Sequence, residues 1–165
     1  MKKIILTAIA VCAFSFANAQ EGGFKAGINL GLPLGDIEDS YSFTVGLDVA
    51  YTWLVADKFH AGITTGYAHY MGKTQDVLGL QVEIDDAGFI PLAATAQYSI
   101  SDNLFVGADI GYAIGVSPDG NDGGFLYQPK FGYQTEMLEL YLGYKGISVT
   151  GGTFSSINLG FNYKF

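Results

Sequence analysis

From Ile157 to Phe165 the chain sets Ile157, Leu159, Phe161, Tyr163 and Phe165 against Asn158, Gly160, Asn162 and Lys164 in strict alternation. A period of two puts the large apolar side chains on one face of a strand and the polar or minimal ones on the other. Such a strand at a chain terminus leaves an exposed sheet edge unless the sheet closes on itself. Closure into a barrel abolishes the edge.

The same alternation recurs upstream and predicts eight strands, near 24–32, 43–53, 59–70, 88–99, 104–115, 124–134, 138–145 and 157–165. In the fifth, Leu104, Val106, Ala108, Ile110, Tyr112 and Ile114 alternate with Phe105, Gly107, Asp109, Gly111, Ala113 and Gly115. Segments of ~10 to 12 residues have the length that a tilted strand needs to cross a bilayer. Tight turns are expected near Ala56-Asp57, Ser101-Asp102-Asn103 and Thr135-Glu136. Longer connections are expected near 34–41, 71–87, 117–123 and 148–153. Short turns on the periplasmic side and longer loops outside are the pattern of an outer-membrane barrel. Pro91 and Pro129 fall inside the fourth and sixth segments, and proline cannot donate to a sheet ladder. The alternation around each predicts a strand with a local bulge there. Leu80 to Ile84 also alternates, so the fourth strand is expected to begin early and protrude.

At the amino terminus Lys2 and Lys3 precede an apolar stretch, Ile4 to Phe16, and Ala17-Asn18-Ala19 supplies a small-x-small cleavage pattern. These are the three parts of a secretory signal peptide. Cleavage after Ala19 leaves a single barrel domain, 20–165. Cys12 departs with the leader, and Val11 stands where a lipoprotein site wants a small residue. The remaining chain has no thiol chemistry. It also has no apolar run of the ~18 residues that a spanning helix requires. Every basic residue is lysine and the formal net charge is −8. Loss of Lys2 and Lys3 makes that about −10, a charge that repels phosphate backbones and argues against nucleic acid as a partner.

The leader, the eight alternating segments, the glycine-rich inner face and the terminal Asn162-Tyr163-Lys164-Phe165 resemble the small eight-stranded outer-membrane β-barrel family, similar to outer-membrane proteins A and X. The in-strand Tyr127-Gln128-Pro129-Lys130 is similar to branches of that family with proline in this strand. The resemblance implies an all-β, eight-stranded antiparallel up-and-down transmembrane barrel in the outer membrane of a two-membrane bacterium. It implies outer-membrane lipids and lipopolysaccharide as surroundings, and the barrel-assembly machinery as a partner for the terminal strand Ile157–Phe165.

With the apolar face outward, aromatic residues collect near the strand ends. Trp53, Phe59, Tyr98, Tyr133, Tyr163 and Phe165 fall on the turn side, and Phe43, Tyr67, Tyr112, Phe125 and Tyr127 towards the loops. Rings with a polar tip favour the headgroup interface, so these form candidate girdles. The few inward charges, Lys25, Asp48, Asp109, Lys130, Glu139, Lys145 and Lys164, must pair, because an unpaired buried ion is costly. Hairpin arithmetic brings Asp109 to Lys130, Glu139 to Lys164 and Lys25 to Asp48. Such a network fills the lumen. The opposite orientation, apolar face inward, gives a soluble lipocalin-like carrier with those charges on its flanks.

Three functions remain in view: a structural or surface-interaction role in the envelope, a narrow channel for ions or small solutes, and a lipid-modifying enzyme. His60 and His69 are the only histidines, and His69 lies near the outer end of its strand, with Ser117, Ser148 and Ser155 as distant candidate nucleophiles. No local motif links them, so no catalytic residue is expected. Asp119-Gly120-Asn121-Asp122-Gly123 fails calcium-loop spacing, with Gly123 at position five and Lys130 at position twelve. No metal or cofactor is expected. Asp36, Glu38, Asp39, Glu83, Asp85 and Asp86 make the outer connections acidic, suited to sharing divalent cations with lipopolysaccharide phosphates or to keeping the surface solvated.

Overall fold

The computed structural model describes residues 22–77 and 80–165. The predicted leader lies outside the described residues. Ten strands form: β1 (Gly22–Leu34), β2 (Tyr41–Ala56), β3 (Phe59–Gly72), β4 (Thr74–Val77), β5 (Leu80–Glu83), β6 (Ala87–Ser99), β7 (Leu104–Ser117), β8 (Gly124–Gln134), β9 (Leu138–Val149) and β10 (Gly152–Lys164). Eight of them close an antiparallel barrel in the order β1-β10-β9-β8-β7-β6-β3-β2, each pairing with its neighbours in sequence. Leu80–Glu83 does not extend β6, as its alternation suggested. It turns back on Thr74–Val77 as a separate two-stranded hairpin inside the β3–β6 connection.

Closure is made by β10, which pairs with β9 from Gly152↔Val149 to Tyr163↔Leu138 and with β1 from Lys25↔Lys164 to Leu34↔Ser155. Beyond the last strand residue, the Phe165 amide donates to the Phe24 carbonyl at 2.9 Å. The chain's last backbone donor is thus engaged rather than left on an edge.

The two prolines behave differently from expectation. Pro91 stays opposite Ala113 on β7, while pairing with β3 lapses between Leu92↔Thr65 and Phe89↔Ala68. Pro129 stays opposite Ala108, while pairing with β9 lapses between Tyr127↔Gly146 and Lys130↔Gly143. The register is the same on both sides of each gap, so neither proline makes a bulge. Each simply faces its missing N–H towards one neighbour. At Pro91 the Thr65 hydroxyl donates to the proline carbonyl at 2.7 Å and ties the strands across the gap. Register does shift elsewhere, between Tyr41 and Thr44, Leu54 and Ala56, and Gly88 and Phe89.

Both described ends of the chain and the connections around 57–58, 100–103 and 135–137 share one end of the barrel, the turn end. The loop end carries 35–40 with its short 3-10 turn, the β4–β5 hairpin and 118–123. The fourth loop-end connection, expected to be long across 148–153, is a two-residue turn at Thr150-Gly151 with Gly151 at φ 97°. β9 and β10 run further than the alternation of large residues indicated. Ile147 and Phe154 supply inward apolar anchors where the outward pattern fades.

Polarity is inverted relative to a soluble barrel. Leu142 and Leu159 are 55% and 54% exposed on the outside, whereas Asp109, Glu139 and Lys145 are 5%, 3% and 2% exposed inside. The carrier arrangement, with apolar residues enclosed and these charges on the flanks, is therefore excluded for this fold.

Strand packing also explains the inner glycines. A Cβ on Gly62 would lie 2.0 Å from the Tyr51 carbonyl oxygen, and backbone cannot yield there. Gly23, with nothing within 4 Å, is the control. Gly62→Ala is expected to cost about 1–3 kcal/mol. Gly23→Ala is expected to leave the urea midpoint unchanged in the same lipid vesicles.

Candidate functional site in the lumen and its loop-end mouth

Alternation aims one side chain in two at a narrow axis, and the barrel stacks these in layers. Nearest the turn end, Lys25 Nζ donates to Glu139 Oε1 at 2.5 Å and to Gln97 Oε1 at 2.9 Å. Gln97 Nε2 donates to Glu139 Oε1 at 3.2 Å and to Gln134 Oε1 at 2.9 Å, and Gln134 Nε2 reaches Ser99 Oγ at 2.9 Å. One step further in, Lys130 Nζ lies 2.8 Å from Asp109 Oδ2 and 5.3 Å above the Tyr141 ring. The Tyr141 hydroxyl donates to Asp48 Oδ2 at 2.5 Å, and Asn29 Nδ2 donates to the same oxygen at 2.9 Å. The void among these groups is about 20 Å³, the room of a single water. Above it Thr44, Asn158 and Ser156 bond to one another, with Thr44 Oγ1 at 3.1 Å from Asn158 Oδ1.

The loop end is closed by an aromatic cluster. Tyr41, Tyr70, Phe89 and Phe154 meet with centroids 5.0 to 6.1 Å apart, and Ile37, Leu126 and Ile147 pack against them. Sequence reasoning missed this plug. Its signal was present, because Tyr70, Phe89 and Phe154 sit on the strand parity otherwise given to glycine and polar residues. Phe105 and Tyr141 carry the same signature. A Cβ on Gly160 would lie 2.2 Å from the Tyr141 ring, so the glycine makes the space into which that ring folds.

Two expected ion pairs are corrected by register. The β9–β10 turn centres on Thr150-Gly151 rather than Gly151-Gly152, which sets Glu139 opposite Asn162 instead of Lys164. Lys164 stands opposite Lys25 and lines a vestibule of about 390 Å³ at the turn end, with His60 and Glu136. Lys25 does not pair with Asp48, which sits opposite Gly27; it crosses the lumen to Glu139, and Asp48 is held by Tyr141 and Asn29 instead. Lys130 reaches Asp109 diagonally, since the residue directly opposite Asp109 is Gln128. Lys145 is buried opposite Ser156, and among the described residues no carboxylate lies within ion-pair distance of it, contrary to expectation.

On the outside, the girdle residues fall at the strand ends. At the turn end, Tyr163 and Phe165 meet edge-on at 4.9 Å, Tyr51 and Trp53 at 6.2 Å, and Phe59 stands opposite Tyr98, with Tyr133 opposite Leu104. At the loop end, Phe125 stacks on Tyr127 at 6.3 Å and stands opposite Tyr112, Tyr67 stacks on His69 at 6.0 Å, and Phe43 is exposed. Tyr144 joins that band through Tyr127, at 6.1 Å. Both ring nitrogens of His69 are occupied, Nε2 by Asp86 Oδ2 at 3.0 Å and Nδ1 by the Tyr67 hydroxyl at 3.3 Å. The Ser117 hydroxyl donates to the Asp86 carbonyl, and Ser155 accepts from the Tyr144 hydroxyl. No serine is joined to His69 among the described residues, and no group of three metal-ligating side chains occurs among them.

Among solved structures, a de novo designed transmembrane β-barrel aligns with a TM-score of 0.55 at 13% identity, over 88% of this chain and 98% of its own. The crystal structure of Ail, the attachment invasion locus protein of Yersinia pestis, aligns with a TM-score of 0.56 at 13% identity, over 87% and 97%. Ail in a phospholipid bilayer nanodisc aligns with 0.54 at 14% identity, over 88% and 100%. The chain has the fold of a small transmembrane β-barrel. No protein-family model matches it, and no curated protein is similar to it in sequence.

The energetic weight of this barrel's interior rests on its enclosed ions. Glu139→Gln leaves the Lys25 ammonium buried without its carboxylate and is expected to cost about 3–5 kcal/mol. The double change Lys25→Met with Glu139→Leu removes both charges and is expected to recover most of that loss. Asp86→Asn, at the exposed His69 pair, is expected to cost less than about 1 kcal/mol. Urea unfolding in phospholipid vesicles measures all three.

Proposed function

We propose that the protein is an integral outer-membrane β-barrel of a two-membrane bacterium, with a side-chain-filled lumen and a structural or surface-interaction role. The observation that carries this reading is the inverted polarity: a continuous apolar exterior around an enclosed set of ions. In water that exterior would cost far more than the interior returns, whereas against acyl chains it is the favourable arrangement. Aromatic residues at both ends of the apolar belt suit the two headgroup layers. The turn end then faces the periplasm and the acidic loop end the outside, next to lipopolysaccharide. The predicted leader would deliver the chain to the periplasm, and the strand Ile157–Phe165 would engage the assembly machinery before it pairs with β1.

The role is non-catalytic in this reading, because His69 has both nitrogens committed, to Asp86 and to the Tyr67 hydroxyl, and no serine is joined to it among the described residues. A wide channel is disfavoured by the ionic layers and the aromatic plug, which would both have to move for solute to pass.

Leu159→Arg places a charge at mid-height on the outer face and is expected to cost about 2–4 kcal/mol in a bilayer. Fractionation with surface proteolysis of intact cells is expected to recover the protein in the outer membrane, cut only at the loop-end connections. Cleavage at Asp57-Lys58 instead would invert the topology. Planar-bilayer recordings from purified protein are expected to show no large, stable conductance.

A further inference from the structure

The loop-end mouth holds a pocket of about 280 Å³ between the 118–123 connection and the Thr150-Gly151 turn. Its lining combines the aromatic residues Tyr41 and Phe154 with Val149 and the acidic residues Asp119 and Asp122. Tyr41 is 9% exposed and lines the pocket.

The walls are pinned. Asn121 Nδ2 donates to the Ser117 carbonyl at 2.8 Å, Asn121 Oδ1 accepts from the Gly123 amide at 3.1 Å, and the Tyr112 hydroxyl donates to the Asp122 carbonyl at 3.0 Å. Gly123 sits at φ 77°, where a Cβ would lie 2.0 Å from the Ala113 carbonyl oxygen. On the facing wall the Thr153 amide donates to Asp36 Oδ2 at 3.2 Å. A rigid pocket binds without first paying to order itself.

Charge decides the class of occupant. Lys73 is the one basic residue in the four loop-end connections, and its ammonium is engaged by the Glu38 carbonyl at 2.6 Å. Anionic groups are repelled from this mouth. A planar cation on an apolar stem matches every part of it: the stem against Val149 and Phe154, the cation over an aromatic face, and its N–H groups towards the carboxylates and the Tyr41 hydroxyl oxygen. The volume suits one long side chain and lies at the small end of ligand pockets.

We propose that this pocket receives an arginine side chain from an exposed basic segment of a partner protein outside the cell. The proposal rests on the surface-interaction reading, in which the loop end faces outward. The probe is the peptide acetyl-Gly-Ser-Arg-Leu-Arg-Ser-Gly-amide, titrated into isotope-labelled protein in phosphatidylcholine nanodiscs. Saturable shifts are expected at the amides of Gly120, Gly123 and Thr150. The peptide with citrulline in place of arginine is expected to bind at least about tenfold more weakly, a difference of about 1.4 kcal/mol.

Asp119→Asn with Asp122→Asn is expected to weaken binding by a similar factor, and Val149→Trp, which fills the pocket, to abolish it with the strand circular dichroism unchanged. Glu38→Gln with Glu83→Gln removes the same charge outside the pocket and is expected to change affinity less than about twofold. Equal loss in the two double variants would reduce the effect to general attraction, and equal binding of the citrulline peptide would point to a neutral ligand. Either result, or no saturable shift at those amides, overturns the proposal. The titration uses purified protein, so it stands apart from cell-surface proteolysis. If proteolysis places the loop end in the periplasm while the titration succeeds, the pocket survives and the outward-facing reading falls.

Discussion

Eight strands closed into a cylinder leave an axis too narrow for bulk water, so inward polar groups find their partners chiefly among the other inward side chains. The rest of the structure follows from that constraint. Among the described residues eight charged side chains point inward or line the turn-end mouth, and the strands are registered so that groups from non-adjacent strands meet across the axis. Lys25 on β1 reaches Glu139 on β9, and Tyr141 on β9 reaches Asp48 on β2. Contacts of this kind tie strands that are not neighbours to one another, which the ladder does not do.

The lumen is divided by chemistry along its length. Paired ions and amides fill the turn-end half, hydroxyls, amides and the Lys145 ammonium the middle, and aromatic rings the loop end. This gradient separates two cavities of different character: a vestibule at the turn end lined by Lys25, Lys164, His60 and Glu139, and an aromatic-floored pocket at the loop end. A side chain at either mouth therefore meets a different environment, although both mouths belong to one continuous sheet.

Period-two alternation made strand number, strand parity and the inside-outside assignment legible, because parity is a local property of a pleated chain. The lumen charges are on the inward parity that alternation assigns them. Pairing was less legible. Moving the last turn by one residue at its centre slid Glu139 from Lys164 to Asn162, and the long Lys25 side chain chose a partner across the axis instead of its neighbour on β2. Proline readings failed for a related reason: a missing donor can face one neighbour without disturbing register, and sequence carries no record of which neighbour that is. The aromatic plug was readable in parity but not in meaning, since an inward Phe89 and an inward Phe105 look alike until their heights along the barrel are known.

What the amino-acid sequence determined by itself was the two-faced strand and the count of eight, because alternation and turn chemistry act between residues a few positions apart. Which ions meet, where the cylinder is plugged and where a pocket opens were decided only when the sheet closed. Several of those contacts join residues more than a hundred positions apart, such as Lys25 with Glu139 and Thr44 with Asn158, and their geometry depends on the register of every strand between them.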